Sequence, residues 1–196
     1  MGRALLVVAA AGLLALAGCG STGGAANDGA PLSPGPAAGS STAFNPTDVM
    51  FQQMMIQHVD QGVEIVRLAK TRAVRQDVKV LAAAIEVTQV SEAEAMKSSL
   101  TSWNQPIAAD MSPDVHARHG GMGLTSPDTI ATLGRAPDGE FEHQFLTLLT
   151  GHQHNAVEMA RTEITGGVNP QVKDLANRIV ESRTAEIGEM LAFLGK

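Results

Sequence analysis

"FQQMMIQHVDQGVEIV", residues 51–66, returns as "FLTLLTGHQHNAVEMA", residues 145–160, and the two stretches align without a gap. The offset of 94 sets Phe51 on Phe145, His58 on His152 and Val63-Glu64 on Val157-Glu158. It continues beyond them: Val78 matches Val172, Leu81-Ala82 matches Leu175-Ala176, Ile85 matches Ile179, Glu92 matches Glu186, Met96 matches Met190 and Leu100 matches Leu194. Self-similarity over this length marks one supersecondary unit used twice. Each unit reads as two helices, predicted over 46–72 and 75–103 in the first and over 139–165 and 170–194 in the second. Asn45-Pro46 and Asn169-Pro170 each join a capping side chain to a proline at the first helical position, and Gly166-Gly167 stops the third helix. Strand signals are weak, with no tyrosine, 3% aromatic residues and few alternating runs. Neither hairpin can bury its own apolar stripe, so the two are expected to pair about a pseudo-twofold axis as an all-α, four-helix bundle.

A helical wheel at 100° per residue sorts the polar residues of these helices. In the third helix Phe145, Leu148, Leu149, His152, Ala156 and Met159 share one stripe, which turns His152 inward. His154 lies about 200° from it and shares the opposite face with His143, so the pair in "HQH" is not a chelating pair. In the first helix Phe51, Met54, Met55, His58, Gly62 and Ile65 turn His58 inward as well. The second and fourth helices place Glu92 and Glu186 on stripes that are otherwise apolar, and a carboxylate there is costly unless it is paired. Symmetry then brings two histidines and two glutamates together near the middle, with Met55, Met96, Met159 and Met190 close by. Imidazole and carboxylate from facing helices hold transition metals, and thioethers shift the preference toward Cu(I). In the alternative reading the glutamates accept hydrogen bonds from the histidines and no metal is needed. Arg183, which matches Gln89, is three residues from Glu186 and is placed to occupy that carboxylate in a cation's stead.

Outside the repeats the composition changes. Residues 1–18 carry one basic residue, Arg3, ahead of an apolar run too short to span a bilayer, and read as a signal peptide. It ends in Leu16-Ala17-Gly18-Cys19, which resembles the lipobox at which bacterial lipoproteins are cut and acylated. Cys19 is the single cysteine, so no internal disulfide is available, and lipidation accounts for it. Cys19 opens a segment, 19–43, of mostly Gly, Ala, Ser, Thr and Pro, a tether with a coil reach of roughly 25–30 Å. The folded domain is expected over 44–196, as repeat one (44–103), a connector (104–138) and repeat two (139–196). Without Arg3, 13 basic residues face 20 acidic ones, which argues against nucleic acid as a partner and mildly favours cations. The connector holds a second candidate metal group, Met111, His116, His119 and Met122, in a glycine-rich setting. A solvated loop that happens to carry histidines is the alternative. Ser126-Pro127-Asp128 starts a short helix expected to end near Leu133.

The doubled "MIQH", "GVEIV", "GHQHNAVEMA" and "EIGEM", with "HARHGGMGLTS" between them, resemble the bacterial ferritin-like family called domain of unknown function 305, over 44–196. That resemblance implies a ferritin-like bundle and, since some members bind copper outside the cytoplasm, an extracytoplasmic metal-binding role. Members usually carry two adjacent histidines in the helix motif. Here only the first of each pair is kept, His58 and His152, with Val59 and Gln153 in the second places. Three functions remain open: a membrane-anchored lipoprotein that buffers or delivers copper, a di-metal redox enzyme, or a non-catalytic interaction bundle. The enzyme is disfavoured, for no core stripe carries Glu-x-x-His, and no G-x-S-x-G, His-Glu-x-x-His or phosphate-loop motif is present.

Overall fold

Asparagine-proline pairs do start two of the long helices. Asn45 accepts from the Asp48 backbone while Asp48 accepts from the Asn45 backbone, a reciprocal capping box, and Asn169 accepts from the Gln171 and Val172 backbone N–H groups. The computed structural model describes residues 43–109 and 123–195. They form helices α1 (Pro46–Arg72), α2 (Gln76–Ser102), α3 (Pro127–Gly134), α4 (Asp138–Gly166) and α5 (Pro170–Leu194), with no strand among the described residues. The four long helices begin and end within one residue of the positions their periodicity and caps predict. Ser126 caps α3 by accepting from the Thr129 backbone, as Ser-Pro-Asp implies. Among the described residues no helix is long and apolar enough to cross a membrane.

α1 packs on α2 and α4 packs on α5, and the two hairpins meet through α1 and α4. α1 and α4 run antiparallel. Asn45, before α1, donates to the Gly166 carbonyl at the end of α4 (2.8 Å), while Arg72, ending α1, reaches Asp138 at the start of α4 (2.8 Å). The apolar interior forms two clusters. One gathers Ile65, Val66, Leu81, Ile85, Phe141, Phe145 and Met190, capped by Ile130 and Leu133 of α3; the other gathers Phe51, Met55, Met96, Leu100, Val172 and Ile179. Each draws on half of every long helix, and the polar residues described below lie between them. Arg72 secures α3 by donating to the Leu133, Gly134 and Ala136 carbonyls while its guanidinium lies 4.3 Å from the Phe141 ring centroid.

The hairpins are also tied at their ends by two carboxylates that obey the repeat. Asp48 of α1 accepts from the Val168 and Asn169 backbones, at the start of α5. Glu142 of α4, the residue matching Asp48, accepts from the Val74 and Arg75 backbones (both 2.9 Å), at the start of α2. The first helix of each hairpin thus accepts from the two backbone N–H groups that lead into the other hairpin's second helix. Arg75, the N-cap of α2, makes no side-chain cap of its own, and Glu142 holds the backbone of that residue and of the one before it. Burial alone would raise both carboxyls, but these N–H donors, with the Arg75 guanidinium at Glu142, hold both below the usual range.

Beside Asp48 sits Glu163, wholly buried, with neither carboxyl oxygen meeting a donor. Burial, and then Asp48, push its pKa up to about 8. Protonated Glu163 can donate to Asp48, which resolves the clash of two carboxylates. Gly167 leaves room for it, since a Cβ there would stand 1.9 Å from Glu163 Oε1.

Asp48→Asn and Glu142→Gln are each expected to lower unfolding stability by about 1.5–3 kcal/mol, the range for hydrogen bonds to charged groups. Urea denaturation measures this, and midpoints unchanged in both variants would show the crossed contacts to be inert. A proton bound by folded Glu163 but not by the unfolded chain makes stability fall as pH rises. The contribution is complete below the ordinary value of 4.5 and is lost as pH climbs through about 8. Melting curves of Glu163→Gln should lack this alkaline decline.

Candidate functional site

His58 and His152, matched in the repeat, meet where α1 crosses α4. Their rings stack with centroids 3.6 Å apart and an interplanar angle of 17°, and their exposures are 0% and 2%. His58 Nε2 donates to the His152 carbonyl oxygen (3.1 Å), which fixes its tautomer and leaves Nδ1 as a lone pair with no donor. His152 Nδ1 lies 2.9 Å from Thr125 Oγ1, and its Nε2 has no partner. Burial, His152 and Arg183 hold the His58 pKa well below its usual value. Burial, with a smaller effect of Arg183, pushes His152 down to about 4. Both imidazoles are therefore neutral near pH 7, the form that ligates metal. Gly62 faces His152 and Gln89: a Cβ there would stand 2.4 Å from Gln89 Oε1 and 3.0 Å from His152 Nε2, so a larger residue would press on both.

From the histidines a polar layer runs outward across the domain. Gln89 of α2 donates to Gln153 Oε1 (3.3 Å), and Gln153 of α4 donates to Glu186 Oε2. Arg183, 1% exposed, donates to Glu186 (3.3 Å) and to Glu92, joining α5 to α2. Burial raises the pKa of both glutamates, and Arg183 opposes that rise.

The structure brings the two histidines together as expected and leaves the two glutamates apart from them. Glu92 and Glu186 are bonded to Arg183 and Gln153, not to imidazole, because a buried guanidinium is the strongest partner within reach. Among the described residues no group of three or more His, Cys, Asp or Glu is arranged to hold a metal ion. Met55, Met96 and Met190 are buried in the apolar clusters, and Met159 lines a cavity between α1 and α4. His143 and His154 are exposed. Cys19, His116, His119 and Met122 lie outside the described residues. Three residues escaped the wheel reading. Gln153 is one place off the stripe, yet it is buried because α5 wraps that side. Glu163 continues the run His152, Ala156, Met159 by four residues and was legible by extending it. The reach of Asp48 to α5 carries no local signal.

Residues 48–194 match the family described as Domain of unknown function (DUF305). Among curated proteins none matches the sequence. Among solved structures, a DUF305 fragment from Deinococcus radiodurans is 30% identical with a TM-score of 0.68, covering 77% of this chain and 97% of that one. A DUF305 protein from Streptomyces coelicolor, described as secreted, is 27% identical with a TM-score of 0.70, covering 76% and 92%. CopM in its Cu(I)-bound form is 26% identical with a TM-score of 0.61, covering 76% and 96%; the same protein is also solved with Cu(II) and with silver.

Arg183→Ala should lower stability by about 3–5 kcal/mol, because it strands two half-buried carboxylates. Adding Glu92→Gln and Glu186→Gln should restore much of the loss. Calorimetric unfolding of the single and triple variants checks this, and a mild single variant would show that Arg183 is not the partner those carboxylates need.

Proposed function

The chain belongs to the DUF305 family, and on that footing we propose that it is an extracytoplasmic lipoprotein with a ferritin-like four-helix bundle that binds a transition metal, Cu(I) in preference. Acylated Cys19 and the tether behind it attach the protein to the membrane, and its role is to buffer, deliver or confer tolerance to the ion without catalysis. One observation on this chain carries the reading: two neutral imidazoles are stacked in the interior with His58 Nδ1 and His152 Nε2 left without partners. Buried polar atoms of native proteins are seldom left so, and an ion or an ordered water is the usual reason. A relative solved with copper and silver supports the choice of metal. His116, His119 and Met122 of the connector supply further donors of suitable softness.

One observation favours a second reading, in which the protein is an interaction module of the cell envelope and its buried polar layer serves to set helix register. Arg183 already balances Glu92 and Glu186, so those two carboxylates need no metal.

Competitive Cu(I) titration separates the two. Tight binding is expected, and its loss in His58→Ala/His152→Ala would put the ion among the helices, whereas loss in His116→Ala/His119→Ala would put it in the connector. A protein that competes for neither Cu(I), Cu(II) nor zinc, and whose melting temperature those ions leave unchanged, would leave the interaction module standing.

A further inference from the structure

The repeat contains its own control experiment. Where the C-terminal half of α1 meets the N-terminal half of α4, the groove between them is closed by α3, which buries Ile130 and Leu133 in it. The groove related to it by the offset of 94, between the N-terminal half of α1 and the C-terminal half of α4, has no such cover among the described residues. It holds a cavity of about 370 Å³. Three thioethers line it: Met50, Met54 and Met159. Their counterparts at the closed end are Gln144, Leu148 and Ile65, the last two packed in the apolar cluster under α3. Hydrocarbon thus fills two of the three equivalent positions, and no sulfur stands at any of them.

A second difference points the same way. Ala69, fully buried at the closed end, corresponds to Glu163 at the open one. Glu163 also lines the cavity, has no exposure to solvent, and finds no donor for either carboxyl oxygen. Thioethers from two helices stand beside the Glu163–Asp48 carboxyl pair, which shares one proton and carries one negative charge, so soft, neutral ligands lie next to a single anionic group. Soft sulfur ligands of this kind select monovalent d¹⁰ ions over Mg²⁺ or Ca²⁺. Methionine side chains turn about three torsions and can close on an ion after it enters.

We propose that this cavity is a thioether site for a monovalent soft cation, Cu(I) or Ag(I), with Met50, Met54 and Met159 as sulfur donors and Glu163 as the neighbouring acid. It rests on the copper-binding reading above, and it adds a site in the open groove to the one at the stacked histidines.

Ag(I) needs no reductant and serves as the probe for calorimetric titration of the full chain. Met50→Leu/Met54→Leu/Met159→Ile gives the last two positions the residues of the closed end, replaces the third thioether with hydrocarbon and nearly preserves volume. It should weaken Ag(I) binding beyond the roughly 100-fold typical of changes to groups behind the ligands, with the metal-free melting temperature little altered. X-ray absorption of the Cu(I) form should show sulfur neighbours in the unaltered protein. If the triple variant does not fold, Met159→Ile alone should still weaken binding and lower the number of sulfur neighbours in the spectrum. Unchanged Ag(I) affinity in the methionine variants would overturn the thioether site; if His58→Ala/His152→Ala then abolishes binding, the copper reading survives with its ion at the imidazoles. Failure of the unaltered protein to bind Ag(I) or Cu(I) would end both.

Discussion

Arg183 is a full charge in the middle of a helical domain, almost without contact with water, and the rest of the interior is arranged around that fact. A guanidinium so placed is tolerable only with carboxylates against it, and Glu92 comes from a different hairpin than Glu186. The ion pairs therefore connect α2 to α5, and the hydrogen bonds of Gln153 and Gln89 extend the layer toward the histidines. An apolar cluster lies on either side. This layering sets register: sliding one hairpin along the other would carry Arg183 into hydrocarbon and strand two carboxylates. The histidines gain their neutrality from the same source, since burial and the nearby guanidinium both disfavour an imidazolium.

Most of the fold was legible in the sequence because it depends on short-range rules. Helix periodicity, Asn-Pro caps and the gapless repeat concern residues a few places apart or at one constant offset, and they placed every long helix to within a residue. The inward turn of His58 and His152 followed from the same wheel. The fate of Glu92 and Glu186 did not, because it depends on which neighbour wins among several within reach. Arg183 was visible as a rival, but its reach to Glu92 spans 91 residues of chain. Asp48 and Glu142 show the same limit. Each completes a helix more than sixty residues away, and no local pattern distinguishes a capping carboxylate of that kind from a solvated one.

The two repeats agree in backbone plan and differ in chemistry. The matched carboxylates Asp48 and Glu142 do the same work at both ends, and the matched histidines face each other across the pseudo-axis. Gln89 against Arg183, Ala69 against Glu163 and Leu148 against Met54 break the symmetry in one direction each. α3 adds a fourth break by covering one groove and not its mate. Strict symmetry is kept where the hairpins are joined, and it is relaxed where side chains face a layer or a cavity that only one end needs to shape.

The crossed carboxylates also bear on the order in which the chain can mature. Synthesis delivers α1 and α2 first, but the acid that completes the start of α2 lies 67 residues downstream of Arg75, beyond the connector. The newborn first hairpin therefore carries open N–H groups and half of an apolar surface until Glu142 arrives. Contacts of such long sequence separation form late and slow the search. A chain halted before α4 accordingly lacks both the acid that holds the lead into α2 and the surface against which α1 packs.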